Sequence, residues 1–234
     1  MGIDKVESSI GTYSEKCTHK YLKNYIDSDE SHHEIKVGKY IADVVNEHGI
    51  FEIQSKGFYR LYDKLQYYIS NHKHVTVVLP VHCTKYINWI DPITGDIVET
   101  RKSPRKQSKY SIFTEMYGIC DLISNEYMHF KVIALETNEY KYLDGFGENH
   151  KLKATKIDKI PYKIIYDIDF DKTNINKFIP DGLKEQFNSS DFKKTAKCSK
   201  EDAQTTLLIL TKLGIVVRVG RNKQGYVYEL NNLN

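Results

Sequence analysis

Residues 34–54, EIKVGKYIADVVNEHGIFEIQ, decide how the first part of this chain folds. Two apolar runs rich in β-branched residues meet at His48-Gly49, a pair typical of a tight turn between strands. Each run is interrupted by one carboxylate, Asp43 in the first and Glu52 in the second. Burying an unpaired carboxylate costs several kcal/mol, so neither acid suits an ordinary buried strand. We expect the two strands to pair as a hairpin that brings both acids near one end of a sheet.

A succession of helical and strand patterns surrounds this hairpin. Amphipathic spacing predicts helices over residues 14–26 and 58–70, and runs rich in β-branched residues predict strands over 33–37, 39–46, 50–54 and 74–81. Farther along, we predict a hairpin of 86–91 and 96–100, a helix over 111–124, a strand over 129–137 and a loop over 144–160. The fold class that follows is α/β, with a mixed sheet flanked by helices.

The C-terminal part has a pattern of its own. Few apolar residues occur between positions 171 and 182, so we place a boundary there and expect domains at 1–175 and 180–234. In the second domain we predict helices over 181–187 and 190–197, a longer helix from Ser199 to Gly214, and strands over 215–219 and 226–230. Three helices followed by a two-stranded ribbon with a basic tip resemble a small winged helix-turn-helix domain.

Composition and charge are those of a globular protein. Hydrophobic residues make up 40% of the chain and charged residues 28%, and the net charge is +3. The positive excess falls within residues 180–234, and the run from Arg101 to Lys109 contains no acid, which favours a polyanionic partner. The four cysteines form no C-x-x-C pair, and no N-terminal apolar core or membrane-length apolar run is present. We therefore expect a cytoplasmic protein with free thiols and no membrane partner.

The order helix–strand–strand–strand–helix–strand, with the spacing D-x8-E-x-Q on the middle strands, resembles the PD-(D/E)XK nuclease superfamily. The matching residues are Asp43 and Glu52-Ile53-Gln54, with Glu15 on the preceding helix. The resemblance covers about residues 14–81, roughly a third of the chain. It implies a restriction-endonuclease-like mixed sheet for the first domain.

The same resemblance implies a metal site for phosphodiester hydrolysis. Asp43 and Glu52, with the Ile53 carbonyl, would hold one Mg²⁺ or Mn²⁺ ion, since these hard cations prefer oxygen ligands. The ion would lower the pKa of the attacking water and offset charge in the transition state. Glu15 would act through a water molecule, or else it is a solvated carboxylate in the first turn of its helix. The alternative for Asp43 and Glu52 is that they are solvated at a sheet edge or pair with Lys or Arg as structural ion pairs.

The third motif position departs from the family pattern. The family usually has a Lys there, which orients the attacking water and supplies a positive charge, whereas this chain has Gln54. A Gln side chain can hold a water by hydrogen bonds but brings no charge. Lys56, two residues farther on, either supplies the missing charge or is simply exposed at the strand end.

Polar and basic residues in two regions are candidates for contacts with DNA. On the winged-helix resemblance, the start of the longest C-terminal helix would face the groove and the ribbon would reach phosphates. The alternative for this domain is a role in protein interaction or dimerisation. The candidates are Ser199, Lys200, Gln204 and Thr205 on the helix, Arg218, Arg221 and Lys223 on the ribbon, and Arg101, Lys102, Arg105 and Lys106 in the basic run.

These inferences combine into one predicted activity, the Mg²⁺- or Mn²⁺-dependent cleavage of DNA phosphodiester bonds by an endonuclease. DNA is the expected partner, and a homodimer is compatible with the same pattern. Two alternatives stay open. One is a catalytically inactive DNA-binding regulator, which Gln54 permits, and the other is a protein-interaction scaffold such as an accessory subunit of a defence or mobile-element system.

Overall fold

The fold is given by a computed structural model that describes the backbone of residues 7–145 and 154–231, and the side chains of those ranges from residue 17 onward. The α-helices are α1 Glu7–Ile26, α2 Tyr62–Ser70, α3 Ser111–Met116, α4 Ser189–Ala196 and α5 Lys200–Lys212. The strands are β1 His33–Val37, β2 Tyr40–Asn46, β3 Gly49–Ile53, β4 Val75–Ile90, β5 Ile97–Lys102, β6 Met128–Tyr142, β7 Thr155–Phe170, β8 Val216–Asn222 and β9 Gly225–Leu230. Short 3₁₀ helices occur at Glu30–His32, Phe58–Leu61, Tyr117–Ile119 and Ile175–Phe178.

Strands β1 to β7 form one mixed sheet. Its order is β1-β2-β3-β4-β6-β7, and β5 pairs with the far end of β4. β1, β2 and β3 are antiparallel neighbours, β3, β4 and β6 run parallel, and β7 returns antiparallel to β6. Parallel neighbours need a crossover connection, which α2 supplies between β3 and β4. The predicted class, a mixed α/β sheet flanked by helices, is therefore confirmed.

Helices cover both faces of this sheet. Leu65 of α2 is buried with Val77 of β4 in the larger hydrophobic cluster. Leu22 of α1 is buried with Val78 of β4 in a smaller cluster. Val77 and Val78 belong to different clusters because successive side chains of a strand point to opposite faces. In the described parts of the chain, no helix has the length and apolar character needed to cross a membrane.

Several elements differ in extent from the prediction. β4 runs on to Ile90 and absorbs the strand predicted at 86–91, because β6 pairs with it along its whole length. The helix predicted over 111–124 ends at Met116 and continues as a 3₁₀ turn. The loop predicted over 144–160 is wrong from Thr155, where β7 begins, and its residues 146–153 lie outside the described residues. β7 is an edge strand whose residues are exposed or half-buried at every position except Pro161 and Phe170, so its sequence lacks a clear apolar alternation.

The helix predicted over 181–187 is also wrong. Gly182 has a φ of 81°, which a helix does not accommodate, and the segment forms turns. Phe187 then exchanges two backbone hydrogen bonds with Tyr228, at 3.0 and 2.8 Å. This isolated bridge attaches the segment to the β8-β9 ribbon. The other predicted C-terminal elements are present as α4, α5, β8 and β9.

One hydrophobic cluster joins this C-terminal part to the sheet. Phe192 of α4 and Leu207 of α5 are buried together with Phe113 of α3 and Phe178. The rings of Phe113 and Phe178 meet edge to face with centroids 5.0 Å apart. The division into domains at 1–175 and 180–234 stays a prediction, and the buried core is continuous across that boundary.

Gly118 lets the turn after α3 approach the turn before α2. A Cβ atom at this position would lie 2.9 Å from the Tyr59 Cβ and 3.2 Å from the Tyr59 nitrogen. Because backbone atoms cannot move aside cheaply, we expect Gly118→Ala to lower the free energy of unfolding by about 1–3 kcal/mol, measured by urea denaturation. Gly220→Ala is the matched control, since a Cβ there meets nothing within 4 Å. Equal losses in the two variants would contradict the close approach.

Candidate functional site

Asp43 and Glu52 lie on neighbouring antiparallel strands. The ladder of β2 and β3 pairs Val44 with Phe51 and Asn46 with Gly49. Asp43 and Glu52 are the next residues of the two strands, just beyond the last pair. The two acids that stand out in the sequence therefore lie where the paired part of this hairpin ends.

Glu52 is buried, with 2% of its surface exposed, and two side chains of α2 satisfy its carboxylate. The Lys64 ammonium donates to Oε2 at 2.6 Å, and the Tyr68 hydroxyl donates to Oε1 at 3.2 Å. The same ammonium donates to the Ile41 carbonyl at 2.6 Å. The alternative of an ion pair with a basic neighbour therefore holds for Glu52. Within the described side chains, Asp43 has no such partner.

The surroundings of Glu52 shift its protonation. Burial, with a smaller contribution from the Asp43 carboxylate, raises the pKa of this carboxyl to about 7 against the opposing effect of the Lys64 ammonium. Burial also raises the pKa of the Tyr68 hydroxyl, with Glu52 and Asp43 contributing. The two carboxylates are thus close enough to repel each other. A cation between them would relieve this repulsion.

A hydrogen bond ties Asp43 to β3. The Ile53 N–H donates to Asp43 Oδ2 at 2.7 Å. The Gln54 N–H points the other way, to the Val78 carbonyl of β4 at 2.9 Å. Because successive residues of a strand direct their backbone groups to opposite neighbours, the Ile53 carbonyl faces the β2 side. It therefore lies on the side of β3 where Asp43 is found, as the predicted third metal ligand would.

The oxygen donors at this place suit a hard divalent cation. Asp43, Glu52 and the Ile53 carbonyl are ligands of the type that Mg²⁺ and Mn²⁺ prefer. Among the residues that the structure describes, no group of three or more His, Cys, Asp or Glu side chains is placed to hold a metal. A metal here would therefore depend on the backbone carbonyl and on water for its remaining ligands. It would also share Glu52 with the Lys64 ammonium.

Of the other predicted catalytic residues, Gln54 and Glu15, the structure describes only the Gln54 side chain, which makes no hydrogen bond to Asp43 or Glu52. The Gln54 side-chain amide donates to the Lys56 carbonyl at 2.6 Å, so it closes a local turn. Lys56 is exposed, in line with the alternative of an exposed strand end. Glu15 falls within α1, and its side chain lies outside the described residues.

Lys64 is the residue of this site that sequence reasoning missed. It lies four residues before Tyr68, so both side chains occupy the same face of α2 and both reach Glu52. The available signal was a lysine on the apolar face of an amphipathic helix, where an ammonium needs a buried anion as its partner. Only the packing of α2 on β3 identifies that anion, because nothing in the spacing of the residues does.

The predicted DNA-contacting residues of α5 are in part occupied by local hydrogen bonds. Ser199 caps the helix by accepting the Asp202 N–H at 2.9 Å. The Thr205 hydroxyl donates to the Glu201 carbonyl at 2.9 Å. Lys200 and Gln204 are exposed. The two long side chains are therefore the ones available to an external partner.

The basic residues of the ribbon lie together on its exposed surface. Arg218, Arg221 and Lys223 are all exposed. The guanidinium carbons of Arg218 and Arg221 lie 4.4 and 5.5 Å from the centroid of the Tyr226 ring. One tyrosine thus orders two of the three cations.

The basic run lies at a distance along the sheet from Asp43 and Glu52. Arg101 and Lys102 end β5, and Arg105 and Lys106 follow in an exposed segment. The Arg101 guanidinium lies 5.5 Å from the centroid of the buried Trp89 ring. β5 pairs with the far end of β4, beyond the last residue paired with β3. The run therefore forms a separate basic patch.

The raised pKa of Glu52 predicts a pH-dependent stability. A carboxyl whose pKa is higher in the folded state contributes stability that is present below its ordinary value of 4.5 and is lost as the pH rises through about 7. In EDTA, we expect this group to lower the free energy of unfolding by at most about 1.4 kcal/mol per pH unit between pH 5 and 7. Glu52→Gln should flatten the profile by that amount, whereas Asp63→Asn, which removes an exposed carboxylate of α2, should not. An unchanged slope in Glu52→Gln would contradict the assignment.

Comparisons with known proteins identify a family for most of the chain. Residues 16–171 match the family described as "Domain of unknown function (DUF8091)", and this range ends close to the predicted domain boundary. An uncharacterized protein of Treponema pallidum (strain Nichols) is 30% identical over 152 residues, which are 64% of this chain and 60% of that protein. The chain therefore spans about three fifths of the length of this relative. No solved structure matches. The matched range contains Asp43, Glu52 and Lys64, and the chain belongs to the DUF8091 family.

Proposed function

We propose that this protein is a metal-dependent endonuclease that hydrolyses phosphodiester bonds in DNA. The observation that carries the proposal is the closeness of Asp43 and Glu52 at the end of the β2-β3 ladder, where the Ile53 N–H binds the Asp43 carboxylate. The order α1-β1-β2-β3-α2-β4, with three antiparallel strands and a parallel fourth, supports a restriction-endonuclease-like fold. Exposed basic residues on the ribbon and after β5 support a polyanionic substrate.

Lys64 supplies the positive charge that Gln54 lacks. Its ammonium is held by Glu52 and by the Ile41 carbonyl, both at 2.6 Å, so it stays at the site rather than in solvent. Negative charge builds up on phosphoryl oxygens during hydrolysis, and a cation that is already in place stabilises that charge. The same ammonium lowers the pKa of Glu52 and so favours the ionised form that binds metal.

Each carboxylate is oriented by hydrogen bonds before any ligand arrives. Asp43 is positioned by the Ile53 N–H, and both oxygens of Glu52 are positioned from α2. A bound Mg²⁺ or Mn²⁺ would supply Lewis acidity and lower the pKa of a water nucleophile. Asp43, Glu52 and the Ile53 carbonyl would hold that ion.

We also propose that residues 180–234 act as a winged helix-turn-helix that docks on DNA. The pairing of Phe187 with Tyr228 gives the β8-β9 ribbon a short third strand, as a wing attached to a helical core requires. Lys200 and Gln204 would approach base edges, and Arg221 and Lys223 would contact phosphates. The patch of Arg101, Lys102, Arg105 and Lys106 would add further phosphate contacts.

Nicking of supercoiled plasmid DNA with Mg²⁺ or Mn²⁺ tests the cleavage proposal. Wild-type protein should convert the plasmid to open circles. Asp43→Asn and Lys64→Gln should each slow this conversion roughly hundredfold, since each removes a group that stabilises charge at the reacting phosphate. The controls remove exposed charges on or just after α2: Asp63→Asn matches the charge lost in Asp43→Asn, and Lys73→Gln matches that lost in Lys64→Gln. Both controls should cleave at the wild-type rate.

The Lys64 variants need a fold control, because removing the ammonium leaves Glu52 buried without its cation. Lys64→Arg should keep the fold, as measured by thermal melting, and part of the activity, as measured by plasmid nicking. The double variant Glu52→Gln with Lys64→Gln should fold without cleaving. Cleavage in EDTA, or cleavage by Asp43→Asn at the wild-type rate, would contradict the proposed site.

A second candidate function is DNA binding without cleavage, as a regulator or as an accessory subunit of a defence or mobile-element system. The 2% exposure of Glu52 and its contact with Lys64 favour this candidate, because a saturated buried ion pair needs no metal. A protein that shifts DNA in a gel but leaves plasmid intact with either cation would establish it. A stable homodimer with no DNA affinity at low salt would contradict both candidates.

Binding to duplex DNA should weaken steeply as salt is added, because each neutralised phosphate releases counterions. The double substitution Arg221→Ala with Lys223→Ala should reduce the slope of log K against log salt by about 2. Lys36→Ala with Lys39→Ala removes the same charge around the β1–β2 turn and should leave the slope unchanged. Fluorescence anisotropy in EDTA measures both slopes, and identical slopes would argue against a wing at β8-β9.

A further inference from the structure

A cavity of about 750 Å³ opens where one edge of the sheet is incomplete. β3 separates from β4 after Ile53 pairs with Val78, and β5 joins the same edge only from Tyr86. The Val78 carbonyl receives the Gln54 N–H, so the backbone of Pro80 faces the same edge two residues later. Proline has no N–H and cannot extend the pairing. The cavity lies in this gap.

Cations dominate the lining of the cavity. Lys56, Arg60, Lys156 and Lys159 all line it. Of the described residues that line it, Glu115 is the one acid, and its carboxylate accepts the Gly57 N–H. The lining therefore carries a net positive charge.

The acidic residue that pairs with Lys159 across β6 and β7 already binds other cations. Glu139 of β6 pairs with Lys159 in the register of β6 and β7. Its two oxygens bind Lys85 at 2.6 Å and Lys141 at 3.1 Å. Across the described ranges, Lys56, Lys156 and Lys159 take part in no ion pair. Among the side chains that the structure describes, three lysines thus line one cavity without a carboxylate as counter-ion.

This arrangement shifts the protonation of Lys159. Burial, together with Lys156, Lys85 and Lys56, lowers the pKa of its ammonium to about 7 against the opposing effect of Glu139. Burial, with the same lysine cluster, also lowers the pKa of His82 to about 3, so that the imidazole stays neutral. An anion in the cavity would return Lys159 to its ordinary charged state.

Two exposed aromatic rings line the same cavity. Tyr59 is 60% exposed and Tyr117 is 57% exposed, and the absence of a side chain at Gly118 lets their two turns meet. The Arg60 guanidinium donates from Nε to the Tyr59 hydroxyl at 3.2 Å, which orders that ring. Exposed aromatic rings beside cations are the combination that holds the bases and phosphates of single strands.

We propose that this cavity binds a nucleotide through a phosphate monoester. Lys56, Lys156 and Lys159 hold the phosphate, and Tyr59 and Tyr117 receive the base. A monoester carries about −1.5 to −2 charges near neutral pH, which matches several unpaired cations better than the single charge of an internal phosphodiester. The group occurs both at the phosphorylated end of a strand and on a free nucleoside monophosphate. The inference goes beyond the cleavage proposal, since it needs neither Asp43 nor a metal.

Fluorescence anisotropy in EDTA tests this inference with single-stranded oligonucleotides that carry a terminal phosphate or a terminal hydroxyl. We expect the phosphorylated strand to bind about tenfold more tightly, because its terminal phosphate adds charge-assisted hydrogen bonds to the lysines. Lys159→Gln and Lys156→Gln should each remove most of this difference. Lys163→Gln is the matched control, because it removes an exposed lysine of the same strand, β7.

A nucleoside 5′-monophosphate distinguishes the two sources of the ligand. Calorimetric binding of the free nucleotide that depends on Lys159, without any difference between the oligonucleotides, assigns the cavity to a free nucleotide. A difference between the oligonucleotides assigns it to a strand end. Tyr117→Ala should weaken binding of the nucleotide about fivefold or more while leaving inorganic phosphate unaffected.

Two results would overturn the proposal. One is equal affinity for phosphorylated and hydroxyl strands together with no Lys159-dependent binding of the free nucleotide. The other is that Lys159→Gln and Lys163→Gln reduce the affinity difference between the two oligonucleotides by the same amount. Lys159→Gln removes a half-buried charge that has no ion-pair partner among the described side chains, so thermal melting should show no loss of stability. Lys156→Gln gives an independent second variant. Asp43→Asn should keep the binding, so a failure of cleavage and a failure of this cavity are separable.

Discussion

The carboxylate of Glu52 lies inside the sheet, and the arrangement of its neighbours follows from that burial. A buried anion must be paired, and Lys64 and Tyr68 pair it from one face of α2. These contacts fix where the crossover helix lies on the sheet. They also leave Asp43 beside a group that it repels. An apolar side chain in place of Glu52 would avoid the cost of desolvation, so stability alone does not explain a charged group at this position. Strained electrostatics of this kind are most often found where a protein binds or reacts.

The end of β3 organises both proposed sites. Gln54 makes the last backbone contact with β4, and Pro80 prevents the next one. On one side of this point lie the two acids and the Ile53 carbonyl, and on the other lies the cation-lined cavity. Negative and positive potential are thus separated by a few residues of a single strand.

The sequence predicted the part of the fold that depends on local pattern, and it failed where pairing is long-range. The hairpin of β2 and β3 and the helix that became α2 are patterned by their own residues, so their positions were predicted within a few residues. β7 was missed because an edge strand takes its structure from pairing with β6 rather than from its own periodicity. The helix predicted over 181–187 is absent because Gly182 adopts a positive φ and starts a turn. Asp43 and Glu52 were recognisable as charges in apolar runs, whereas Lys64 and the cavity lysines derive their significance from neighbours far away in the chain.

The parallel ladder of β4 and β6 extends from Val75 opposite Met128 to Ile90 opposite Tyr142. The two strands are far apart along the chain, so their pairing must overcome the entropy of closing the segment that contains β5 and α3. Contacts of this kind slow folding far more than they limit final stability. β7 covers the second edge of β6, and an uncovered strand edge is a template for pairing with another chain. The pairing of β7 with β6 therefore protects the molecule against association through this edge.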